Sequence, residues 1–411
     1  MLHFLLRRYI RQGRLTVRYP GGATKVYGQG MPDVAIAIRD RPALLQLGLD
    51  PDLKLGELYM DGRMTIERGD IVGLLDLLMG NVARQGASGG LHALRFIRKL
   101  LRGFSQWNPA SAARAHAAHH YDLSGRLYDQ FLDASRQYSC AYFEHRNDTL
   151  EAAQTGKKRH IIAKLNLDRP GLSVLDIGCG WGGLAMDLAR ECQAAVLGVT
   201  LSTEQHRAAE QSAYRAGLAD RARFALKDYR MLEGRFDRIV SVGMFEHVGV
   251  RYYPEFFSKI RELLADDGVM LLHTIGRTDG PGATNAWVQK YIFPGGYAPA
   301  LSEIVSVIEQ AGLMVTDVEV LRLHYAMTLA EWRKRFQAHR AAVAALYDER
   351  FCRMWEFYLA GAEMSFRHEG QVVYQIQIAK RVDALPLTRD YMMAHAAADA
   401  REPPDAVRAV A

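Results

Sequence analysis

A glycine-rich turn between an apolar segment and the start of a helix constrains the fold more than any other feature of the chain. It reads Val174-Leu-Asp-Ile-Gly-Cys-Gly-Trp-Gly-Gly-Leu184. Glycine allows the backbone to turn sharply and to approach a ligand closely at the carboxyl end of a strand. The spacing Gly178-x-Gly180-x-Gly182 differs from the dinucleotide fingerprint G-x-G-x-x-G, and an aspartate lies two residues before the first glycine. The turn therefore predicts a ligand site at the end of a buried strand.

From this turn onward, short apolar segments alternate with helical patterns. The predicted strands are 173–177, 195–200, 222–226, 238–242, 269–275, 314–323 and 371–380, and the predicted helices between them include 183–191, 203–216 and 254–264. Such alternation predicts an α/β fold, a mostly parallel sheet with helices on both faces. Together with the turn, the pattern resembles the first motif of S-adenosylmethionine-dependent methyltransferases. The resemblance implies a Rossmann-like class I methyltransferase sheet, with the loop holding the amino acid end of the cofactor.

The positive charge of the chain is concentrated near its N-terminus. Of the 411 residues, the first 110 hold 16 Lys/Arg and 9 Asp/Glu, whereas the remainder hold 36 and 37. Residues 91–104 combine apolar side chains at helical spacing with four basic residues and no acid. This pattern favours a basic amphipathic helix on an anionic membrane surface, and equally a helix packed on its own protein with a solvated basic face. No nucleic-acid-binding motif accompanies the charge, so nucleic acid is not an expected partner.

The rest of the sequence limits the class and compartment of the protein. With 49% hydrophobic and 24% charged residues, a disordered or collagen-like chain is excluded. Four irregularly spaced cysteines with no C-x-x-C argue against a disulfide framework or a zinc site. The apolar start is too short to span a bilayer, and it lacks the cleavage site of a signal peptide. We expect a cytoplasmic protein that associates peripherally with the inner face of the membrane.

Composition and patterning divide the chain into four parts. We predict a small α+β lipid- or partner-binding domain without a catalytic constellation over 1–80, a linker with the basic helix over 81–114, a catalytic domain over 115–395, and a loose tail over 396–411.

The ends of the predicted strands supply candidate cofactor contacts. The second strand of the catalytic domain ends without the acid that usually holds the ribose, so Thr200 and Gln205 are the candidates for that contact. Asp228, beside Tyr229 at the next strand end, can accept a hydrogen bond from the adenine amine. Taken alone, Asp228 is a solvated strand-end acid.

Seven short segments, in order, resemble the cyclopropane fatty acid synthases and the related mycolic acid methyltransferases over about residues 115–385. They are His-Tyr-Asp at 120–122, Tyr-Ser-Cys-Ala-Tyr-Phe at 138–143, Gly-Val-Thr-Leu-Ser at 198–202, Met-Phe-Glu-His-Val-Gly at 244–249, His-Thr-Ile at 273–275, Tyr-Ile-Phe-Pro-Gly at 291–295 and Tyr-Ala-Met-Thr-Leu at 325–329. The resemblance implies methyl transfer from S-adenosylmethionine to a cis double bond in a phospholipid acyl chain. The resemblance also implies that the resulting carbocation loses a proton to a bound bicarbonate as the cyclopropane ring closes.

The resemblance also assigns roles to residues. The bicarbonate positions match Cys140, Glu246, His273, Ile275 and Tyr325. Cys140 and Ile275 would donate backbone N–H groups, and His273 and Tyr325 would donate from their side chains. A buried Glu246 carboxylate would repel bicarbonate, so one of the two should carry a proton. Tyr138 and Ser139 would touch the cofactor.

Each of these residues has a simpler interpretation on its own. Cys140 would be a buried small hydrophobe, Glu246 a helix N-terminal acid and Tyr325 a core aromatic. Only their joint occurrence in matching segments favours a site. A histidine cluster at 116–120 has helical zinc-ligand spacing but no further ligand pattern, so we expect no metal.

Alternatives remain open at this point. Some family members carry a cysteine where Ala362 stands, and the neighbouring Glu363 has no assigned role. A sister reaction would give a methyl-branched or methylene product from the same cation. The other classes are a non-catalytic lipid-binding protein and a methyltransferase for a soluble small molecule. A homodimer, the double-bond position and the head-group preference are left open by the sequence.

Overall fold

The structure is a computed structural model of the chain, and it describes residues 2–86, 96–100 and 125–393. The histidine cluster at 116–120, the predicted tail at 396–411 and most of the predicted basic helix at 91–104 lie outside these residues. The part of that helix that is described, 96–100, is helical.

Among the described residues, the elements follow the predicted alternation closely. The strands are β1 Gly13–Arg18, β2 Thr24–Gln29, β3 Asp33–Ile38, β4 Met64–Arg68, β5 Ser173–Ile177, β6 Ala195–Thr200, β7 Ala222–Leu226, β8 Phe236–Val242, β9 Leu264–Arg277, β10 Met314–Leu321 and β11 Gln371–Ala379. The helices are α1 Leu2–Tyr9, α2 Arg41–Leu49, α3 Pro51–Met60, α4 Ile71–Gln85, α5 Gly125–Tyr128, α6 Leu150–Leu165, α7 Gly183–Glu191, α8 Thr203–Arg215, α9 Tyr253–Leu263, α10 Ala286–Tyr291, α11 Leu301–Gln310, α12 His324–Ala338, α13 Arg340–Leu346 and α14 Glu349–His368.

The N-terminal part forms its own small sheet, in the order β2-β1-β3-β4. Aspartates begin the helices that follow or connect its strands: Asp40, Asp50 and Asp70 accept backbone N–H groups in the first turns of α2, α3 and α4. Such caps satisfy donors that a helix start leaves free. Helix α4 continues to Gln85, so the helical structure extends past residue 80, where we placed the end of the small domain.

Seven of the described strands form the second sheet, in the order β10-β11-β9-β8-β5-β6-β7. The strands from β5 to β9 pair in parallel, whereas β11 runs antiparallel to both β9 and β10. The predicted α/β fold with a mostly parallel sheet is therefore confirmed. Because the parallel strands end at one edge, the loops after β5, β6, β7, β8 and β9 converge there.

The two sheets belong to units that share one continuous apolar core. Helix α3 packs on α10 and α14, with Leu58 and Met60 in the same buried cluster as Trp287 and Trp355. The Trp287 indole donates to Met60 Sδ at 3.2 Å. Beside it, Glu57 accepts from Lys290 Nζ at 2.6 Å and from Tyr291 Oη at 3.0 Å. The small domain is thus fastened directly to the segment that begins at α10.

Within the described ranges, no helix has the length and apolar character to cross a membrane.

The contact between the domains depends on a helical glycine, Gly56 of α3. A Cβ atom added there would lie 2.6 Å from Trp287 Cδ1 and 2.8 Å from Phe357 Cε1. We expect Gly56→Ala to lower the free energy of unfolding by about 1–2 kcal/mol, because overpacking outweighs the ~1 kcal/mol gained in helix propensity. Urea denaturation followed by circular dichroism measures this difference.

Gly361 of α14 is the matched control for this substitution. An added Cβ there would meet Leu75 Cδ1 at an ordinary 3.9 Å. Gly361→Ala should leave stability unchanged or raise it. Equal stability of Gly56→Ala and the wild type would contradict close packing at this interface.

Candidate active site

The glycine-rich turn folds back on the neighbouring strand. The backbone N–H groups of Gly178 and Cys179 both donate to Val199 O, at 2.9 and 3.1 Å. Gly178 and Gly180 have φ values of +81° and +54°, in the region that favours glycine. A Cβ atom on Gly180 would meet no protein atom within 4 Å, so its backbone faces open space. The turn therefore leaves room for a ligand against its backbone.

This open space is a cavity of about 1510 Å³, including the part open to solvent, at the carboxyl ends of β5 to β8. Eight predicted cofactor residues line it: Tyr138, Ser139, Gly178, Gly180, Thr200, Gln205, Asp228 and Tyr229. The ninth, Gly182, does not. A Cβ atom on Gly182 would meet Phe224 Cζ at 2.7 Å and Ala209 Cβ at 2.9 Å. Gly182 therefore allows α7 to pack against its neighbours and is not part of the cavity wall.

Thr200 and Gln205 are joined across the start of α8. The Thr200 hydroxyl donates to Gln205 Oε1 at 3.0 Å and accepts from the Ser202 N–H at 3.2 Å. The Ser202 hydroxyl in turn accepts the backbone N–H of Gln205, capping the helix. The pair is buried and fixed in position, which suits residues that orient a ligand at the cavity wall.

Asp228 is at the cavity but already has a cationic partner. Both of its oxygens accept from the Arg230 guanidinium, at 2.9 and 2.6 Å. A carboxylate has further lone pairs, so an adenine amine could still reach it. Burial raises the pKa of the neighbouring Tyr229 phenol, which keeps the ring neutral.

The segment that carries Tyr138, Ser139 and Cys140 is held from behind by α6. Gln154 Nε2 donates to Ser139 O at 3.1 Å, and Lys157 Nζ donates to the Ser139 hydroxyl at 2.9 Å. On the other side, the N–H of the next residue, Ala141, donates to Thr328 Oγ1 of α12 at 3.0 Å. This brings the Cys140 segment against the helix that carries Tyr325.

Glu246 lies in the loop after β8 and reaches the end of β9. Its Oε1 accepts the Ile275 backbone N–H at 2.6 Å, whereas its buried Oε2 has no partner. Burial raises the pKa of Glu246 to about 7. The carboxyl is therefore poised to exist in its protonated form near neutral pH.

His273, two residues before Ile275, points from the same face of β9. Its Nδ1 accepts from Gln375 Nε2 of β11 at 3.1 Å, and its buried Nε2 has no partner. Burial lowers the pKa of His273 to about 3. With the Gln375 amide in this orientation, the neutral ring carries its hydrogen on Nε2 and can donate it.

The remaining two predicted catalytic residues lie in the adjoining apolar core. Cys140 and Tyr325 are both buried there, and Tyr325 contacts the ring of Trp332 edge-on at 5.8 Å. Burial raises the pKa of the Cys140 thiol, so its side chain is an unreactive neutral group. The structure joins Glu246 directly to Ile275, places His273 on the same strand, and brings Cys140 and Tyr325 to the same cluster. Their catalytic roles stay predictions.

The structure adds cavity residues that the sequence analysis did not assign. They are Tyr128, Arg136, Gln137, Lys157, Asp176, Trp181, Met244, His247 and Pro294, among others. Lys157 lies in Gly-Lys-Lys-Arg-His at 156–160, which looks like a solvated basic helix face in sequence. Asp176 was visible as the acid before the glycines, but nothing local indicated that it faces a ligand.

Glu363 has a structural explanation. Its buried carboxylate accepts from Arg333 Nε at 3.1 Å and from Arg367 Nε at 3.0 Å, so two guanidinium groups balance its charge. The neighbouring Ala362 is partly buried against the large apolar cluster. Within the described residues, no group of three or more His, Cys, Asp or Glu side chains could hold a metal ion.

Comparison with known proteins places this site in a family. The family model described as mycolic acid cyclopropane synthetase matches residues 109–376, and a domain of unknown function matches residues 2–84. The cyclopropane-fatty-acyl-phospholipid synthase of Escherichia coli (strain K12) is 38% identical over 334 residues, covering 80% of this chain and 84% of that protein. The tuberculostearic acid methyltransferase UfaA1 of Mycobacterium tuberculosis is 36% identical over 386 residues, covering 90% and 89%.

A solved structure supports the same placement. The mycolic acid cyclopropane synthase CmaA1, in complex with SAH and CTAB, is 35% identical with a TM-score of 0.61, and the match covers 64% of this chain and 97% of that one. The open backbone at Gly180 and the fixed Thr200–Gln205 pair fit an S-adenosylmethionine site. The chain therefore belongs to the mycolic acid cyclopropane synthetase family and is an S-adenosylmethionine-dependent methyltransferase.

Proposed function

We propose that the protein transfers a methyl group from S-adenosylmethionine to the cis double bond of an unsaturated acyl chain in a membrane phospholipid. Loss of a proton from the new methyl group then closes a cyclopropane ring. The observation that carries this proposal is that Glu246 Oε2 and His273 Nε2, which belong to two predicted anion-binding side chains, are among the nine buried side-chain polar atoms of the described residues that lack a hydrogen-bond partner. Buried polar atoms in native proteins normally have partners, so this pair points to a small polar ligand.

The chemistry of the two groups fits an oxyanion such as bicarbonate. A protonated Glu246 can donate a hydrogen bond to the anion, where an ionised carboxylate would repel it. Neutral His273 offers its Nε2–H to the same ligand. Bound bicarbonate would supply the base that the reaction needs in a dry site. The Ile275 N–H, which the family resemblance assigns to the anion, is held by Glu246 Oε1 in this structure.

The surroundings of the cofactor cavity suit an acyl chain. An unconjugated alkene is a weak nucleophile, so its placement against the methyl donor must contribute much of the rate. Tyr138 lines the cavity and stacks on Trp332 with ring centroids 5.1 Å apart. From there the buried apolar cluster continues through Tyr325, Phe131 and Trp355. An apolar aromatic wall next to the cofactor is what a fatty acyl substrate requires.

The N-terminal domain supports the proposed membrane substrate. Residues 1–32 hold six Lys/Arg and no Asp/Glu. Arg14 and Arg18 pair with Asp33 and Glu67, but the described residues contain no ion-pair partner for the side chains of Arg7, Arg8, Arg11 and Lys25. Phe4 and Met31 are 68% and 82% exposed in the same region. Free cations beside exposed apolar side chains fit attachment to an anionic membrane surface.

A second product class is the alternative. The match to a tuberculostearic acid methyltransferase over 90% of this chain favours a methyl-branched fatty acid as the competing outcome, since that relative is named for it. Both outcomes begin with methyl transfer to the alkene. They differ at the next step. The cation either loses a proton from the new methyl group with closure of the ring, or loses it without ring closure to leave a methylene group. A saturated methyl-branched chain then needs a hydride and a proton, with the hydride coming from a separate reductant.

The first test follows the product in a bacterial host that makes no cyclopropane fatty acids. We expect expression to give fatty acids heavier by one CH2 group, with the upfield proton resonances of a cyclopropane ring. Glu246→Ala should lower turnover about 100-fold or more, because it removes a side chain that holds the bicarbonate base and acid–base catalysis contributes at that level, while SAH binding is retained. The exposed Glu233→Ala is the control. Absence of any heavier species, or full turnover in Glu246→Ala, would refute the proposal, and an open-chain branched product would select the alternative.

The second test uses the raised pKa of Glu246. The unfolded chain releases this proton near 4.5 and the folded protein near 7. The stability gained from the protonated form is complete below the unfolded pKa and is lost as pH rises through the folded one. As pH rises from about 5 to 8, we therefore expect the free energy of unfolding of Glu246→Gln to increase relative to that of the wild type by on the order of 3 kcal/mol. Denaturation in bicarbonate-depleted buffer measures the difference, and a gap that does not change with pH would be inconsistent with a buried protonated carboxyl.

The third test concerns the membrane. Replacing Arg7, Arg8 and Lys25 together by Glu should weaken binding to anionic phosphatidylglycerol vesicles more than tenfold. Each cation near such a surface contributes about 1 kcal/mol to the free energy of binding. Vesicle sedimentation at low and high salt measures this, and binding of the wild type should fall with salt. Arg207, Arg215 and Arg223, exposed on the catalytic domain, give a control with the same change of charge. An N-terminal attachment surface would be contradicted if the control variant lost as much vesicle binding as the N-terminal variant. It would also be contradicted if the wild type bound neutral and anionic vesicles with equal affinity.

A further inference from the structure

Lys157 is a fully buried cation without a carboxylate partner. Its side chain is 0% exposed, and its ammonium donates to Gln137 Oε1 at 2.7 Å and to the Ser139 hydroxyl at 2.9 Å. Among the described residues, no carboxylate oxygen lies within 4.0 Å of the Lys157 ammonium, the distance that defines an ion pair. An ammonium has three donors, so one of them remains for a further ligand. A buried charge with only neutral partners carries a large desolvation cost.

The cofactor cavity brings an opposite charge to the same place. Asp176, 2% exposed, lines the cavity together with Lys157. The two groups interact electrostatically, yet they are too far apart for an ion pair. A buried cation and a buried anion therefore face one cavity with a gap between them. A ligand that carries an anion and a cation close together would compensate both.

The amino acid end of S-adenosylmethionine has this charge pattern, with an α-carboxylate and an α-ammonium on one carbon. Lys157 is also hydrogen-bonded to Ser139, which lines the cavity beside it. We propose that Lys157 binds the carboxylate of the cofactor's amino acid end, with Asp176 providing the opposite charge for the ammonium. This inference rests on the methyltransferase assignment and is independent of the lipid substrate and the base proposed above.

The ionisation of both groups agrees with a site that waits for a charged ligand. Burial lowers the pKa of Lys157 to about 7; Lys158 acts in the same direction, whereas Asp133, Cys140 and Asp176 oppose it. Burial also raises the pKa of Asp176 to about 7. Each charge is thus costly without the ligand, and a carboxylate next to Lys157 restores the charged ammonium.

The adjacent residue shows what a purely structural buried lysine looks like here. Lys158 is 9% exposed and forms an ion pair with Asp187 of α7, and it does not line the cavity. The two lysines follow each other in α6, but only Lys157 combines burial, neutral partners and the cavity. Lys158 is therefore the matched control position.

The experiment compares three ligands by isothermal titration calorimetry, in the absence of lipid. They are SAH, its decarboxylated analogue that keeps the ammonium, and 5′-methylthioadenosine, which lacks the whole amino acid end. For the wild type we expect SAH to bind about 10–100-fold more tightly than the decarboxylated analogue, as for a charge-assisted hydrogen bond to a carboxylate. In Lys157→Met this preference should disappear, while 5′-methylthioadenosine binds as in the wild type. Lys158→Met should keep the preference.

A merely structural role for Lys157 gives different results. If Lys157 only positions the Ser139 segment, Lys157→Met should weaken the binding of all three ligands by the same factor. That result would overturn the proposal. An unchanged preference in Lys157→Met, or no preference in the wild type, would also overturn it. Lys157→Gln is a second variant if the methionine side chain prevents folding, and the wild-type comparison needs no variant. None of these measurements depends on turnover, so a failure of the proposed lipid reaction leaves this test intact.

Discussion

The pairing of β8 with β9 determines where chemistry can occur in this protein. The two strands run in parallel with Val242 opposite His273, and the Gly243 N–H then donates to His273 O at 2.9 Å. This last bond ends β8 while β9 continues to Arg277, so the loop after β8 lies beside the end of β9 that β8 leaves unpaired. Glu246 in that loop consequently meets the Ile275 N–H. Both the position of the carboxyl and its burial follow from the register of two neighbouring strands.

The site around this edge consists of ionisable groups that burial keeps from their ordinary charge states. Glu246 and Asp176 are held toward their protonated forms, and Lys157 and His273 toward their neutral forms. Such an environment contains few strong nucleophiles, which would suit the proposed reaction through a carbocation. The Cys140 thiol is kept neutral for the same reason. Desolvation tunes the polar groups, and in the proposed reaction it would also protect the cation.

Much of the fold followed from local patterns, whereas the finer features of the site did not. Alternating apolar strands and helices predicted the α/β sheet, because each pattern reflects burial of one element on its neighbours. The close packing of Gly182 against Phe224 and Ala209 was not foreseen, because spacing alone does not distinguish a glycine that faces a ligand from one that allows helix packing. Lys157 could not be recognised, since its burial depends on a segment 18 residues away. The Gln375 contact to His273 required the antiparallel return of β11, which no local pattern specifies.

The attachment of α3 to α10 has a consequence for how the chain can be divided. The segment held by Glu57 leads from Lys290 and Tyr291 to Pro294 at the cofactor cavity, and to Tyr297, whose N–H donates to Glu246 O at 2.9 Å. A catalytic fragment cut from its N-terminal domain would expose the Trp287 surface and lose the anchor of this segment. The two parts are therefore one mechanical unit. Their boundary in sequence is therefore not a point at which this chain can be divided without exposing the Trp287 surface.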